Sequence, residues 1–122
     1  MKKFLILFAL ASPIFASPIL PTATGKELLT YCKLAKDIHD RQFGNPQTEP
    51  EYILGIKSGI CEGYLMSANE NASSFCLPYG YNLLLEASVV VKYLQDHPEQ
   101  QHLPASVLTA KSLQTYFPCL KR

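Results

Sequence analysis

The chain has 122 residues, with 11 basic against 10 acidic side chains and a formal net charge of +1. A chain of this length supports one hydrophobic core and not two. Its nearly balanced charge provides no basic surface for nucleic acid or for an anionic membrane. The composition therefore indicates one small domain and excludes nucleic acid as a class of partner.

The N-terminus has the pattern of a bacterial signal peptide. Lys2 and Lys3 form a short basic region that precedes an uncharged apolar stretch over residues 4–15. That stretch is shorter than the roughly 20 residues of a membrane-spanning helix, and Ala16 after it offers a small residue for cleavage. We therefore predict a cleaved signal peptide over residues 1–16, export to the periplasm and no stable membrane insertion.

The cleavage site itself is imperfect. Ile14 stands three residues before the predicted cut, where signal peptidase prefers a small residue, so an uncleaved N-terminal anchor is the alternative. Residues 17–23 contain two prolines and predict an extended lead-in, followed by one domain over residues 24–119. Without Lys2 and Lys3, the exported chain carries 9 basic and 10 acidic side chains, a net charge near −1.

A capping box begins the first predicted helix. Thr24 and Glu27 have the spacing at which the threonine hydroxyl accepts from the third helical N–H and the glutamate reaches back. The helix is predicted to run to about Arg41, and Phe43-Gly44-Asn45-Pro46 ends it. Its inward positions at helical spacing are Leu28, Leu29, Cys32, Ala35 and Ile38.

The second predicted helix begins at a similar pattern, Thr48-Glu49-Pro50-Glu51, with Pro50 in its first turn, and runs to about Ala68. Glycines recur along it at intervals of four residues. Each costs up to about 1 kcal/mol relative to alanine inside a helix, so the stripe predicts close approach of a neighbouring helix backbone. A ligand groove along the stripe is the alternative. The stripe consists of Gly55, Gly59 and Gly63.

A third helix follows the polar connection of residues 69–80. Asn82 is placed to cap it, and it is predicted from Leu83 to about Asp96. The segment Val89-Val90-Val91 has strand character by itself, but it lies within a longer helical period. The inward positions of this helix are Leu84, Ala87, Val91 and Leu94.

Two prolines define the last predicted turn. Pro98 ends the third helix, and Pro104 begins the fourth as a first-turn proline. The sequence therefore predicts an all-α, four-helix bundle-like domain made of two helical hairpins. The apolar side of the fourth helix is predicted at Val107, Leu108, Leu113, Tyr116 and Phe117.

Four cysteines in an exported chain predict two disulfides. A zinc site is the rival, but there is no C-x-x-C pair and no nearby pair of histidines with ligand spacing. Cross-linked residues on antiparallel helices lie equally far from the connecting turn, and the midpoints of Cys32–Cys61 and Cys76–Cys119 fall in the two predicted turns. We favour this pairing; Cys61–Cys76 with Cys32–Cys119 is the rival.

No catalytic, cofactor-binding or metal-binding residue is expected. His39, His97 and His102 match no familiar ligand spacing, and a metal or pH-sensing role for the last two is only an alternative. Oxidised cysteines cannot act as nucleophiles, and the sequence has no phosphate-binding glycine loop. Glu62 and Glu86 are interpreted as solvated or hydrogen-bonded carboxylates. The sequence favours a binding protein, not an enzyme.

Several short motifs follow one another over about 60 residues of the second half of the chain. They are Cys61-Glu62-Gly63-Tyr64, Phe75-Cys76-Leu77-Pro78, Val90-Val91, Tyr93-Leu94, His97-Pro98-Glu99, His102 with Ala105, and Phe117-Pro118-Cys119. Together they resemble the Rap/Tai family, the immunity proteins of type VI secretion systems. The match takes in three of the four cysteines, and Cys32 suits the helical hairpin of that family.

The resemblance implies a periplasmic, all-helical protein that binds and blocks a cell-wall hydrolase injected by a neighbouring or kin cell. The usual targets in the family are peptidoglycan amidases with a cysteine nucleophile. Related proteins inhibit by occluding the active-site cleft of the enzyme, and they include dimers, so a homodimer is also considered. No cofactor is implied.

We expect the partner to bind at the turn between the last two helices, from Asp96 to Leu103. The turn is polar and bounded by prolines, so it can enter a cleft with little loss of conformational entropy. The alternative is that Asp96-His97-Pro98 serves only to end the third helix. Tyr79 and Tyr81 form a second candidate patch, because tyrosines are frequent interface anchors; covering the end of the bundle is the alternative role for them. The predicted contact residues at the turn are Tyr93, Asp96, His97, Glu99, Gln100 and His102.

Two other functions are alternatives. A small periplasmic acid-stress chaperone is also helical and cross-linked by disulfides, and it exposes apolar surface as its carboxylates are protonated. An orphan binding module would keep the family fold and bind a different envelope protein or a small ligand.

Overall fold

The computed structural model describes residues 23–40, 50–71 and 73–120. The predicted signal peptide, most of the lead-in, the first predicted turn and the capping residues Thr48 and Glu49 lie outside the described residues. Within them the chain forms four α-helices and no strand, joined late in the chain by one turn of 3₁₀-helix at Pro98–Gln100. The predicted all-α fold is confirmed. The helices are α1 (Gly25–Asp40), α2 (Glu51–Glu70), α3 (Leu83–Asp96) and α4 (Ala105–Tyr116).

Helix starts follow the capping residues that the sequence predicts. The Asn82 side chain accepts a hydrogen bond from the backbone N–H of Leu85 at 3.0 Å, which confirms the cap of α3. At α1 the Glu27 carboxylate accepts from the backbone N–H of Thr24 at 2.7 Å and also from the Thr24 hydroxyl. Pro50 and Pro104 each precede their helix by one position instead of lying in its first turn.

Helix α1 lies at the centre of the bundle, where it packs against both α2 and α3. Helix α4 packs mainly on α3 and also contacts α2. The four inward faces interlock around fully buried leucines, one on α1, one on α2, one on α3 and two on α4. These leucines are Leu28, Leu65, Leu94, Leu108 and Leu113.

The two disulfides connect the cysteines in the favoured pairing. Cys32–Cys61 joins α1 to α2 and is fully buried, so it forms part of the core. Cys76–Cys119 is exposed and joins the α2–α3 connection to the segment after α4. Beside it, the Cys76 N–H donates to the Phe117 carbonyl at 2.8 Å, so this end of the chain is held twice.

The glycine stripe of α2 does not pack against another helix, so that prediction is wrong. A Cβ built on Gly55, Gly59 or Gly63 would meet no described atom within 4 Å. The stripe belongs instead to a solvent-exposed apolar surface, because the inward face of α2 is built from larger residues and the buried cysteine. We call this surface the outward face of α2: Tyr52, Gly55, Ile56, Gly59, Gly63 and Met66.

The inward face of α4 also differs from its prediction. Leu108 and Leu113 are buried, but Val107 and Tyr116 are exposed. Their places inside are taken by small polar residues, and the hydroxyl of Thr109, for example, donates to the carbonyl of Ala105 at 2.8 Å. A hydroxyl that bonds to its own helix can be buried without a partner elsewhere, which the apolar pattern alone does not reveal.

Candidate partner-binding site

The turn between α3 and α4, residues 97–104, is held from below by a buried tyrosine. Tyr93 is only 3% exposed, and its hydroxyl donates to the Gln100 side-chain oxygen at 2.9 Å. Its ring lies against the His97 imidazole, with ring centres 4.4 Å apart. Tyr93 therefore supports the turn from inside instead of offering its own ring to a partner.

Further hydrogen bonds close the α3–α4 turn on itself. The Gln101 side chain donates to the carbonyl of Leu94, in the last turn of α3, at 2.9 Å. The backbone N–H of Gln100 donates to the carbonyl of His97 at 3.0 Å, and that of Leu103 donates to the carbonyl of Gln100 at 2.9 Å. The backbone of this turn is thus fixed over its whole length.

The start of α1 holds the same turn from the side. The first two helical N–H groups, of Gly25 and Lys26, donate to the carbonyls of Leu103 and Gln101 at 2.9 and 3.0 Å. These are N–H groups that a helix leaves without intrahelical partners. Only a glycine fits at position 25, because a Cβ there would overlap the side chain of buried Leu108 and lie 3.0 Å from the Gln101 Cα.

Charged side chains project from this fixed frame. Asp96 accepts from the Lys92 ammonium at 2.8 Å, and Glu99 pairs with the His97 ring at 3.1 Å. The backbone N–H of Glu99, and secondly the His97 ring, hold the pKa of the Glu99 carboxyl below its ordinary value. His102 is also exposed. The surface presents two carboxyl groups, of Asp96 and Glu99, beside two imidazoles.

The structure brings the six predicted contact residues together in one region, with different roles. Asp96, Glu99 and His102 are exposed and available for contact. His97 and Gln100 are half-buried, and together with Tyr93 they form the support. The first three side chains are therefore the most accessible of the six to a partner.

The second predicted patch separates into two different residues. Tyr79 is fully exposed, whereas Tyr81 is half-buried against Phe117 in an edge-to-face contact of 4.5 Å between ring centres. Burial, and secondly the Glu86 carboxylate, raise the pKa of the Tyr81 phenol. Tyr81 therefore covers the end of the bundle, and Tyr79 alone is free to contact a partner.

A cleft between α1, α2 and α3 was missed by the sequence reasoning. It encloses about 730 Å³, and its wall includes His39, Glu62, Asn69 and Glu86. Glu86 is only 2% exposed, and its carboxyl accepts a hydrogen bond from the Asn69 side chain. Of the two predicted states, hydrogen-bonded or solvated, the structure therefore shows the hydrogen-bonded one. The signal was present in the sequence, because Glu86 precedes buried Val90 by four residues and so lies on the inward face of α3.

No group of three or more histidine, cysteine, aspartate or glutamate side chains in the described ranges could hold a metal ion. Across the same ranges, no helix is both long enough and apolar enough to cross a membrane.

The comparison with protein families agrees with this arrangement. The family model of the Rap1a immunity proteins matches residues 24–119, which include all four cysteines, the cleft and the α3–α4 turn. Among curated protein sequences, none matches the chain. Because the family model covers most of the chain, this protein belongs to the Rap1a immunity proteins.

Proposed function

We propose that this immunity protein acts in the periplasm, where it binds and inhibits a peptidoglycan amidase delivered by a type VI secretion system. Membership of the Rap1a immunity proteins supports a toxin as its partner. Family membership does not by itself identify the toxin as an amidase, the delivery route as type VI secretion or the compartment as the periplasm. These three assignments rest on the motifs shared with the Rap/Tai proteins, on the signal-peptide pattern and on the disulfides. An inhibitor of this kind carries out no reaction of its own.

The observation that carries the proposal is the rigidity of the α3–α4 turn. Its backbone is hydrogen-bonded to itself and to the first residues of α1, and its Gln101 side chain is hydrogen-bonded to α3. Association loses free energy wherever a loop must become ordered, and a turn fixed before binding avoids that loss. A fixed, polar, proline-bounded projection is suited to filling the active-site cleft of an enzyme.

The two disulfides support a periplasmic site of action. Disulfides form and persist in oxidising compartments and are rare in the cytosol. All four cysteines of this chain are paired, so none is a free thiol. The predicted signal peptide over residues 1–16 supplies the route, and mass spectrometry of the exported protein would locate its cleavage site.

A protection assay tests the proposal. The amidase encoded next to this protein would be directed to the periplasm of a test bacterium, with and without the immunity protein carrying its own leader. We expect the immunity protein to prevent lysis. Failure to protect, with both proteins shown to be folded, would overturn the proposed function and favour the chaperone or the orphan module.

A charge-exchange variant tests the surface. Glu99→Lys combined with His102→Glu alters two exposed groups while leaving the Tyr93–Gln100 bond in place. The matched control exchanges charges on exposed positions of other helices, Glu51→Lys with Lys36→Glu. We expect affinity for the amidase to fall about tenfold or more in the first variant, equivalent to about 1.4 kcal/mol, and to be unchanged in the control. Equal affinities of the charge-exchange variant and the control would show that the amidase binds elsewhere on the protein.

One observation favours the chaperone as a second candidate. The outward face of α2 exposes apolar side chains, with Tyr52 68% and Ile56 59% accessible. A chaperone of this type would expose more apolar surface in acid, which increases the fluorescence of a hydrophobic dye. An inhibitor needs no such transition, so dye binding that stays low at low pH would exclude the chaperone.

A further inference from the structure

A buried carboxyl and a carboxamide face each other across the contact between α2 and α3. Glu86 of α3 is 2% exposed, and Asn69 of α2 is half-buried. The Asn69 Nδ2 donates to the Glu86 Oε1 at 3.2 Å. The second oxygen of each group, Glu86 Oε2 and Asn69 Oδ1, is buried and has no hydrogen-bond partner among the described residues.

The two unpartnered oxygens of Glu86 and Asn69 lack a hydrogen-bond donor in the described part of the chain. A carboxylate and an amide oxygen both only accept hydrogen bonds, and a buried polar atom without a partner costs about 1–3 kcal/mol. A protonated carboxylic acid, however, has one O–H donor as well as an acceptor. A single proton on Glu86 Oε2 would supply the donor that Asn69 Oδ1 lacks.

We propose that Glu86 is protonated in the folded protein and forms a cyclic, two-hydrogen-bond pair with Asn69 that fastens α2 to α3. In this pair the amide donates to Oε1, and the acid O–H on Oε2 donates to Asn69 Oδ1. All polar atoms of both groups are then satisfied without water. Ionisation breaks the second bond and places an uncompensated charge between the helices.

The surroundings of Glu86 favour the neutral form. Burial raises the pKa of its carboxyl above the ordinary value of 4.5, and the bond from Asn69 opposes this with a smaller effect. From α2, Glu62 contributes a second acid to the same cleft; from the α2–α3 connection, Tyr81 contributes a phenol. From α1, the cleft wall includes His39, the one of these groups that would favour ionisation when protonated.

The pair makes stability depend on pH with a definite sign. Below about pH 4.5 both the folded and the unfolded protein hold the proton, so the contribution of the pair is fully present. Above that pH the unfolded chain releases the proton first. Stability is then lost as the pH rises toward the raised pKa of Glu86, by about tenfold in the folding equilibrium constant per pH unit.

Nuclear magnetic resonance tests the protonation directly on the wild-type protein. The carboxyl ¹³C shift of Glu86 is expected to remain that of a protonated acid well above pH 4.5. Glu86→Gln assigns the signal by removing it. If Glu86 titrates together with the exposed glutamates, the proposal is wrong, and this measurement does not depend on the variant folding.

Denaturation at several pH values tests the consequence. A glutamine at 86 can form the same cyclic pair through its amide N–H, but it cannot ionise. We therefore expect Glu86→Gln to remove the loss of stability that the wild type shows above pH 4.5. The control, Glu62→Gln, removes an exposed carboxyl from the same cleft and should keep that loss. Identical pH dependence of wild type and Glu86→Gln would overturn the proposal. The result does not depend on the identity of the toxin.

Discussion

The α3–α4 turn and the outward face of α2 are both surfaces that the sequence marks as unusual, and the structure gives them opposite properties. The turn is polar. Hydrogen bonds from α1 hold its backbone, and its Gln100 and Gln101 side chains are hydrogen-bonded to α3. The outward face of α2 is uncharged, and the backbone beneath it is held by the hydrogen bonds of the helix itself. A Cβ built on any of its glycines would meet no described atom within 4 Å. Only the turn has its shape imposed by the rest of the fold.

The difference between the two surfaces bears on how selectively each can bind a partner. An exposed apolar stripe can adhere to many partners, since apolar contact has no direction. A turn that holds carboxylates and imidazoles in fixed positions can discriminate, because hydrogen bonds and charge pairs depend on geometry. We therefore propose that the toxin binds at the turn, and glycine-to-alanine substitutions test this proposal directly.

The largest effect is expected for Gly25→Ala at the junction of α1 with the turn. The new methyl group would collide with the side chain of buried Leu108 and press on the backbone of Gln101. Overpacking of this kind costs about 1–3 kcal/mol. We expect the free energy of unfolding to fall by that amount in urea denaturation, and the affinity for the toxin to fall with it.

A control for Gly25→Ala keeps the helix start and changes only an exposed neighbour. Lys26→Ala retains the backbone N–H that donates to Gln101, so stability should change little. If both substitutions have the same small effect, the junction of α1 with the turn is looser than its hydrogen bonds indicate, and the comparison between the two surfaces loses its basis.

A smaller loss is expected for Tyr93→Phe, which removes the hydroxyl under the turn and keeps the ring. Gln100 then loses its hydrogen bond, at a cost of about 1 kcal/mol. Because the turn loosens while the exposed groups remain, toxin affinity should fall through faster dissociation, as surface plasmon resonance would show. Unchanged dissociation would mean that the bond is not needed to hold the turn in its binding shape.

The sequence predicted what depends on neighbours along the chain. The Asn82 cap, the return bond of Glu27 to the Thr24 N–H and the cysteine pairing are local or nearly local patterns, and they were confirmed. Pro98 and Pro104 located the turn for the same reason. These features need no knowledge of which helix packs against which. The Thr24 hydroxyl donates to Glu27 instead of accepting from the helix, so that half of the capping box differs from its prediction.

What the sequence could not predict depends on packing between distant segments. The support that Gly25 gives to the turn joins residues about 80 positions apart, and no local pattern encodes it. The direction of the glycine stripe depends on where α2 rests on the bundle. Glu86 lay within a predictable inward stripe, but its pairing with Asn69 requires the α2–α3 contact.

The smallest effect, and the opposite sign, is expected for Gly59→Ala in the middle of the outward face of α2. Alanine is favoured over glycine inside a helix by up to about 1 kcal/mol, and the methyl group meets no described atom. Stability should therefore rise by about 0.5–1 kcal/mol. If the turn alone binds the toxin, affinity is unchanged. A more stable variant that binds less well would show that the toxin also rests on α2, because a methyl group that costs nothing in the free protein would then obstruct only the complex.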